Sequence, residues 1–237
     1  MDLNYEETLD KNFDKALELC SNDYSYADLI EFLKNGNIPE KQFAAIEIRE
    51  LKSLGDAQIF ISNLINCDGK IREAVAQKFS ELVGVYDYKK YFAEFPLVFA
   101  QSTIDINANI SRMVIDGLTQ MKDYTEFAQI YAAQLVKYTD EAFEGLSKIV
   151  FKDKKYTVNK QLFKLYWCLE GLNSYYSYVD SEKLASILEQ SLSQNNEYTI
   201  REKVAQLLNK PDLKQKYPNL VEKLSTDENY YVKQQCK

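Results

Sequence analysis

Apolar residues recur at intervals of three and four along almost the whole chain of 237 residues. The stretch 29–33 shows this spacing early in the sequence, and the stretch 184–192 shows it late. The spacing places apolar side chains on one face of an α-helix, and no segment shows the strict alternation of a half-buried strand. It therefore predicts an all-α protein, with helices of about 10 to 16 residues and loops of about 2 to 5 residues. Connections this short favour antiparallel packing of successive helices.

The composition narrows the possible functions. The chain has 7 Gly, 4 Pro and no His. Folds built from many tight turns, and loops that cradle phosphates, need more glycine and proline than this. The absence of His excludes Ser-His-Asp and Cys-His nucleophiles, zincin metal sites and every His general base. We therefore expect a protein that is not an enzyme and that uses no cofactor and no metal ion.

The acidic charge is confined to the beginning of the chain. Residues 1–31 contain nine acidic and two basic residues, which accounts for the whole net charge of −7. The remaining residues hold 27 acidic and 27 basic side chains. We interpret residues 1–23 as an acidic N-terminal helix or cap and residues 24–237 as one continuous repeat domain. Nucleic acid is disfavoured as a partner because phosphate binding needs a positive footprint.

The sequence also indicates a cytoplasmic protein. It has no apolar stretch of about 20 residues that could span a membrane. The first residues are acidic, unlike the basic start of a secretory signal. Four well-separated cysteines without a CxxC pair predict free thiols in a reducing compartment.

Four segments repeat one pattern. Each opens with Asn or Asp and has a second Asp, Asn or Glu two positions later. An aliphatic anchor follows five positions after the opening residue, and another apolar residue lies four positions beyond the anchor. The polar residues can cap a helix, and the apolar positions form its buried stripe. The segments are 66–79, 105–118, 195–208 and 227–237, and two weaker copies are 35–48 and 153–166.

The spacing of the anchors leaves room for a second helix in each repeat. The anchors are Glu40, Ile71, Ile110, Val158, Ile200 and Val232. Apolar stripes between them predict intervening helices at 56–65, 88–101, 124–137, 181–193 and 213–224, with a further helical run near 140–151. About six antiparallel two-helix repeats describe an α-solenoid. An ordinary helical bundle remains the alternative.

The signature Asp/Asn-x-x-x-x-Val/Ile-Arg/Lys-x-x-Val-Ala resembles HEAT repeats, over roughly residues 24–237. In that family the second helix of each pair lines the concave side, and its Asp and Arg residues form a ladder between repeats. The resemblance implies ladder roles for Asp68, Arg72, Arg201, Asp227 and Lys233. Ser111 and Asn159 depart from the pattern and predict a break in the ladder. The resemblance also implies a partner-binding concave side that bears Arg72, Glu73, Arg112, Lys160, Arg201 and Glu202.

Two further surface features are candidates for partner binding. A basic patch within 148–164 consists of Lys148, Lys152, Lys154, Lys155 and Lys164. It is either a solvated helix end or a docking surface for an acidic partner. The 18 tyrosines concentrate at 86–92, 174–178 and 230–231, either at core edges and loops or on a partner surface.

These observations predict a scaffold that binds a protein or peptide on the concave face of a HEAT-like solenoid. Two alternatives remain open: a HEAT-like nucleic-acid-binding protein of the DNA glycosylase type, and a HEAT-like lyase or other partner-modifying enzyme. We also expect a homodimer through the last repeat, because its final helix presents an unfinished face.

Overall fold

The computed structural model describes the backbone of residues 3–148, 155–193 and 197–236. Side chains are described for residues 11–148, 160–192 and 197–236. Contacts divide the chain into two compact units, Met1–Phe127 and Ala128–Lys237. The predicted division into residues 1–23 and a repeat domain from residue 24 to 237 stays a prediction.

The first unit contains eight helices in its described residues. They are α1 Leu3–Cys20, α2 Tyr26–Asn35, α3 Ile38–Glu47, α4 Leu54–Ser62, α5 Gly69–Leu82, α6 Tyr86–Phe92, α7 Pro96–Thr103 and α8 Ala108–Leu118. A short 3-10 helix follows at Thr119–Met121.

The second unit is helical in the same way, and its first helix begins just before the boundary. The helices are α9 Thr125–Ser147, α10 Lys155–Tyr175, α11 Ser181–Ser193, α12 Tyr198–Leu208, α13 Pro211–Lys216, α14 Pro218–Ser225 and α15 Tyr230–Gln235. A 3-10 helix lies at Tyr176–Tyr178. The described ranges contain no β-strand, so the prediction of an all-α protein is confirmed. None of the described helices is both long and apolar enough to span a membrane.

The helices that carry the anchors pack directly on one another within each unit. In the first unit α5 lies between α3 and α8, and in the second unit α12 lies between α10 and α15. The anchors Ile71, Ile110, Ile200 and Val232 are buried on these helices. The repeated pattern therefore marks the second helix of each pair, as the sequence predicted.

The two polar positions that open each segment have different roles. In three of the four segments the second of them caps the following helix: the side chains of Asp68, Asn107 and Asn229 accept hydrogen bonds from backbone N–H groups in the first turn of α5, α8 and α15. Asn37 caps α3 in the same way. These caps satisfy N–H groups that have no partner inside the helix. In the segments that open with Asp105 and Asp227, the first polar position instead contacts the preceding repeat.

Proline divides two of the predicted helices. The run predicted at 88–101 forms α6 and α7, because Pro96 occupies the first turn of a new helix. The run predicted at 213–224 forms α13 and α14, because Pro218 does the same. Proline has no N–H to donate and disfavours the helical conformation in the residue before it, so α6 and α13 both end before the proline is reached.

Two helices that the sequence predicts as separate form one continuous helix in the structure. The runs at 124–137 and near 140–151 join as the single helix α9, which reaches Ser147. At the expected break, the hydroxyl of Thr139 is buried and donates to the carbonyl of Leu135 one turn earlier, 2.9 Å away. Because this bond satisfies the hydroxyl inside the helix, Thr139 does not act as a cap.

Aromatic rings fill the core of the first unit. The ring of Phe79 packs against those of Phe92 and Phe99, with centroids 5.1 and 4.6 Å apart. Gly117 on α8 lies directly over Phe79. This close approach holds α8 against α5.

Candidate partner-binding surface

An ion pair joins two successive second helices of the first unit. Arg72 on α5 donates from Nε to Oδ2 of Asp105 at 2.7 Å and from Nη2 to Oδ1 at 3.1 Å. Its third nitrogen donates to the carbonyl of Cys67. Asp105 in turn accepts from the N–H of Asn107, which caps α8. The ion pair thus connects the beginning of α5 to the beginning of α8.

The second unit contains the same arrangement. Arg201 on α12 donates from Nε to Oδ2 of Asp227 at 2.7 Å and from Nη2 to Oδ1 at 3.1 Å. Asp227 accepts from the N–H of Asn229, which caps α15. Two predicted ladder residues, Arg201 and Asp227, are therefore in direct contact.

Burial and hydrogen bonding have opposite effects on the pKa values of these side chains. The side chains of Arg72 and Asp105 are 16% and 9% exposed, and those of Arg201 and Asp227 are 14% and 10% exposed. The hydrogen bond to Asp105 raises the pKa of Arg72 against the opposing effect of burial. The hydrogen bond from Arg201 lowers the pKa of Asp227, again against burial. These shifts favour the charged forms of Arg72 and Asp227, as expected for bidentate Arg–carboxylate contacts.

The other predicted ladder residues have different contacts. Asp68 accepts from the N–H of Lys70 at 2.8 Å as the cap of α5. Lys233 lies close enough to Asp227 to contribute to its lowered pKa. The hydroxyl of Ser111, where a break was predicted, donates to the carbonyl of Asp105 in the loop before its own helix. The side chain of Asn159 lies outside the described residues.

The glutamates that follow each ladder arginine also bridge helices. Glu73 accepts from Asn109 Nδ2 at 3.3 Å, and Glu202 accepts from Gln235 Nε2 at 3.4 Å. Both glutamates are half-buried. Of the six residues predicted on the partner-binding face, only Arg112 and Lys160 are exposed. Whether the six bind a partner stays a prediction.

Two lysines of the basic patch form ion pairs with nearby glutamates. Lys148, directly after the end of α9, pairs with Glu144 of that helix. Lys164 pairs with Glu141 at 2.9 Å, and its ammonium lies 5.2 Å from the centre of the Tyr138 ring. Lys152, Lys154 and the side chain of Lys155 lie outside the described residues.

Three exposed tyrosines form a surface that the sequence showed only in part. Tyr198, Tyr230 and Tyr231, here called the tyrosine surface, are 39%, 60% and 58% exposed. The rings of Tyr198 and Tyr231 are stacked with centroids 6.4 Å apart, and Tyr230 meets Tyr231 at 5.7 Å. Tyr198 and Tyr230 each lie two residues before an anchor, so the repeat places them at the same ends of α12 and α15.

Sequence reasoning missed two residues that hold helices together. Asp105 was named as the opening residue of its segment but not as a partner of Arg72. Lys203 was not singled out, yet it is buried on α12 and pairs with Glu170 of α10 at 2.6 Å. The sequence feature that could have identified it is a lysine three positions after the anchor Ile200, on the apolar side of the helix.

The part of the chain that the structure describes brings together no group of three or more Cys, Asp or Glu residues that could hold a metal ion. The expectation that the protein uses no cofactor stays a prediction.

Comparison with known proteins gave matches among solved structures. No protein family model matches the chain, and no curated protein matches it. An engineered protein solved by the Northeast Structural Genomics Consortium is 12% identical, with 88% of this chain and 93% of that chain covered at a TM-score of 0.51. A likeness at this identity concerns the fold alone.

Two other solved structures are similar over comparable lengths. A second engineered protein from the same consortium is 10% identical, covering 88% of this chain and 92% of that chain at a TM-score of 0.47. The archaeal HEAT-like repeats protein from Thermococcus onnurineus NA1 is 17% identical, covering 91% and 95% at a TM-score of 0.34.

The fold follows from the chain's own geometry. Its second helices stack within each unit, and the same Arg–Asp contact connects them twice. The described residues form an all-helical repeat fold.

Proposed function

We propose that this protein is a non-enzymatic scaffold that binds a protein or peptide partner, and that the tyrosine surface is its main contact in the second unit. The observation that carries the proposal is the clustering of three exposed tyrosine rings at one end of α12 and α15. Tyrosine is enriched in protein interfaces because it offers a large, rigid contact area and a hydroxyl for hydrogen bonding.

The ladder supports this role by fixing the two helices that carry the rings. Tyr198 lies three residues before Arg201, and Tyr230 lies three residues after Asp227. Because the bidentate pair between Arg201 and Asp227 connects these helix starts, it sets the spacing of the rings. A surface that is fixed before binding loses less conformational entropy when the partner docks.

The charges around the tyrosine surface favour a protein over a nucleic acid. Glu197 and Glu228 lie close enough to Arg201 to influence its pKa, and Arg201 itself is engaged by Asp227. Aromatic rings that stack with nucleic acid bases are normally accompanied by a positive groove that follows the phosphates. The charges of Glu197 and Glu228 are opposite in sign to those of such a groove.

A peptide selection tests the proposal. A phage library of random peptides is selected on the whole chain, and the enriched peptides are synthesised for calorimetry. We expect the Tyr198→Ser, Tyr231→Ser double variant to bind them about tenfold or more weakly, since exposed tyrosines at interfaces often dominate the binding energy. The variant's helix content is checked by circular dichroism.

Tyr86→Ser serves as the matched control, because Tyr86 is 79% exposed in the first unit. It should leave peptide affinity unchanged. Equal affinity of the wild-type chain and the double variant would contradict the proposal. So would a failure to enrich any peptide, or a preference for single-stranded DNA that the double variant loses.

A further inference from the structure

The first unit contains a cleft of about 440 Å³ that the proposed function does not use. It lies where the connection between α1 and α2 meets the end of α3 and the segment leading into α4. Its volume falls in the range of sites that take small ligands or single side chains. The lining residues are Asn22, Asp23, Tyr24, Tyr26, Leu29, Phe43, Glu47, Arg49 and Glu50.

Aromatic rings in the cleft are held in fixed positions. Tyr24 meets the rings of Phe32 and Phe43 edge-on, with centroids 5.1 and 5.5 Å apart. The hydroxyl of Tyr26 donates to Asp56 at 2.8 Å and accepts from the N–H of Lys52 at 3.1 Å. Partial burial and the contact with Asp56 raise the pKa of Tyr26 to about 12, so the phenol stays neutral. The hydroxyl of Tyr26 is therefore engaged by these two partners, and its ring face is the part that can meet a cation.

The polar lining of the cleft is predominantly acidic. Asp23, Glu47 and Glu50 contribute three carboxylates, against the single positive charge of Arg49. A neutral aromatic face beside carboxylates attracts a cation through the ring quadrupole and through direct charge. The lining thus favours a positively charged group over a neutral or anionic one.

One cation of the chain itself already uses part of this arrangement. The ammonium of Lys52 lies 4.2 Å from the centre of the Tyr26 ring and 3.1 Å from a carboxylate oxygen of Glu50. The side chains of Lys52 and Glu50 are 56% and 54% exposed. Exposed ion pairs are weak, so a better-placed cation can displace this lysine.

We propose that the cleft binds a lysine or arginine side chain presented by a basic peptide segment of a partner protein. The cation stacks on the aromatic face at Tyr26 and pairs with Glu47 and Glu50, while Lys52 moves out into solvent. An arginine suits the site best, because its planar guanidinium can stack on a ring and pair with a carboxylate at once. This inference does not depend on the tyrosine surface, which lies in the other unit.

The test uses the whole 15N-labelled chain and the synthetic peptide Gly-Ser-Arg-Gly-Arg-Ser-Gly, with the termini blocked. We expect saturable amide shifts at Tyr24, Tyr26 and Glu50 by NMR. The same peptide with citrulline in place of both arginines has nearly the same shape and no positive charge, and it should give no saturable shift. The Glu47→Gln, Glu50→Gln double variant should weaken binding by about fivefold or more.

The Lys52→Gln variant separates a true site from a generally acidic surface. Removing the internal competitor should tighten binding by about twofold to fivefold. Lys34→Gln removes the same charge from an exposed position on α2 outside the cleft, and it should have a smaller effect. The Glu94→Gln, Glu126→Gln variant is the matched control for the two cleft glutamates, since both residues are exposed and lie elsewhere in the unit.

Three outcomes would overturn the inference. The first is equal binding of the citrulline peptide, and the second is equal effects of Lys52→Gln and Lys34→Gln. The third is binding of free arginine or spermidine as tight as that of the peptide, which would make the cleft a small-cation site. None of these outcomes bears on the tyrosine surface, which is tested by a different double variant and different peptides.

Discussion

Arg72 binds Asp105, 33 residues further along the chain, through two hydrogen bonds between their side chains. The contact between Arg201 and Asp227 repeats this geometry with the same two distances. In both cases the arginine follows an anchor and the aspartate opens the next repeated segment. Each of these ion pairs thus connects the second helix of one sequence repeat to the start of the second helix in the next repeat.

The ion pair of the first unit should contribute to its stability. We expect Arg72→Ala to lower the free energy of unfolding by about 1 to 3 kcal/mol, because it leaves the carboxylate of Asp105 partly buried without its main partner. Arg72→Lys should restore only part of the loss, since an ammonium cannot make the bidentate contact. Urea denaturation followed by circular dichroism measures both changes.

Arg112→Ala is the control for this prediction, because Arg112 is an exposed arginine on α8. Its effect should stay within about 0.5 kcal/mol, as is usual for surface substitutions. If Arg72→Ala and Arg112→Ala shift the urea midpoint equally, the pair is not a structural contact.

The contact at Asp227 should make stability depend on pH. The hydrogen bond from Arg201 lowers the pKa of Asp227 in the folded chain below the value of about 3.9 expected in the unfolded chain. Its stabilisation is therefore fully present above about pH 5 and is lost as the pH falls through the lowered pKa. The difference in melting temperature between the wild-type chain and Asp227→Asn should be largest near neutral pH and shrink towards pH 3. A difference that stays constant over this range would contradict the assignment.

The helices and their stacking could be predicted because they depend on local rules. An anchor, a second apolar residue four positions later and a polar cap are all visible within one segment, and they located the second helices correctly. A local rule also applies to Pro96 and Pro218, because each proline divides an apolar run whose spacing alone predicts a single helix. In α9, by contrast, the helix continues through the break expected near 140, where the buried hydroxyl of Thr139 donates to the carbonyl of Leu135, and burial is not visible in the sequence.

The contacts between repeats could be predicted only in part. Asp68 and Asp105 are both acidic residues near the start of a repeated segment, and nothing in their local sequence shows which one meets Arg72. Which aspartate meets Arg72 depends on the position of α8 along the axis of α5, and that position is set by helix packing. The acidic cleft escaped prediction for the same reason, because Tyr26 and Glu50 are 24 positions apart and meet only after the helices pack.

The four cysteines should differ in reactivity according to their burial. Cys20 is exposed, and Cys168 is fully buried. Burial raises the pKa of Cys168 to about 12, so the reactive thiolate is rare at pH 8. In a time course with iodoacetamide read by mass spectrometry, Cys20 should be modified first and Cys168 last. Comparable rates for these two thiols in the native chain would contradict the described burial, and labelling in urea provides the control in which all sites react.

Two glycine-to-alanine changes should have opposite effects on stability. A Cβ at Gly117 would lie 2.6 Å from Cε1 of Phe79, whose ring is buried between those of Phe92 and Phe99. Because this ring has little room to move, we expect Gly117→Ala to destabilise the chain by about 1 to 3 kcal/mol.

Gly55, in the first turn of α4, is the matched control for Gly117. Its nearest neighbour would be the hydroxyl of Ser53 at 3.6 Å, an ordinary contact. Gly55→Ala should stabilise the chain by about 0.4 to 1 kcal/mol, since alanine restricts the unfolded chain more than glycine does. Melting temperatures of the two variants should therefore move in opposite directions. A stable Gly117→Ala variant would mean that α8 and α5 are not held at the separation described.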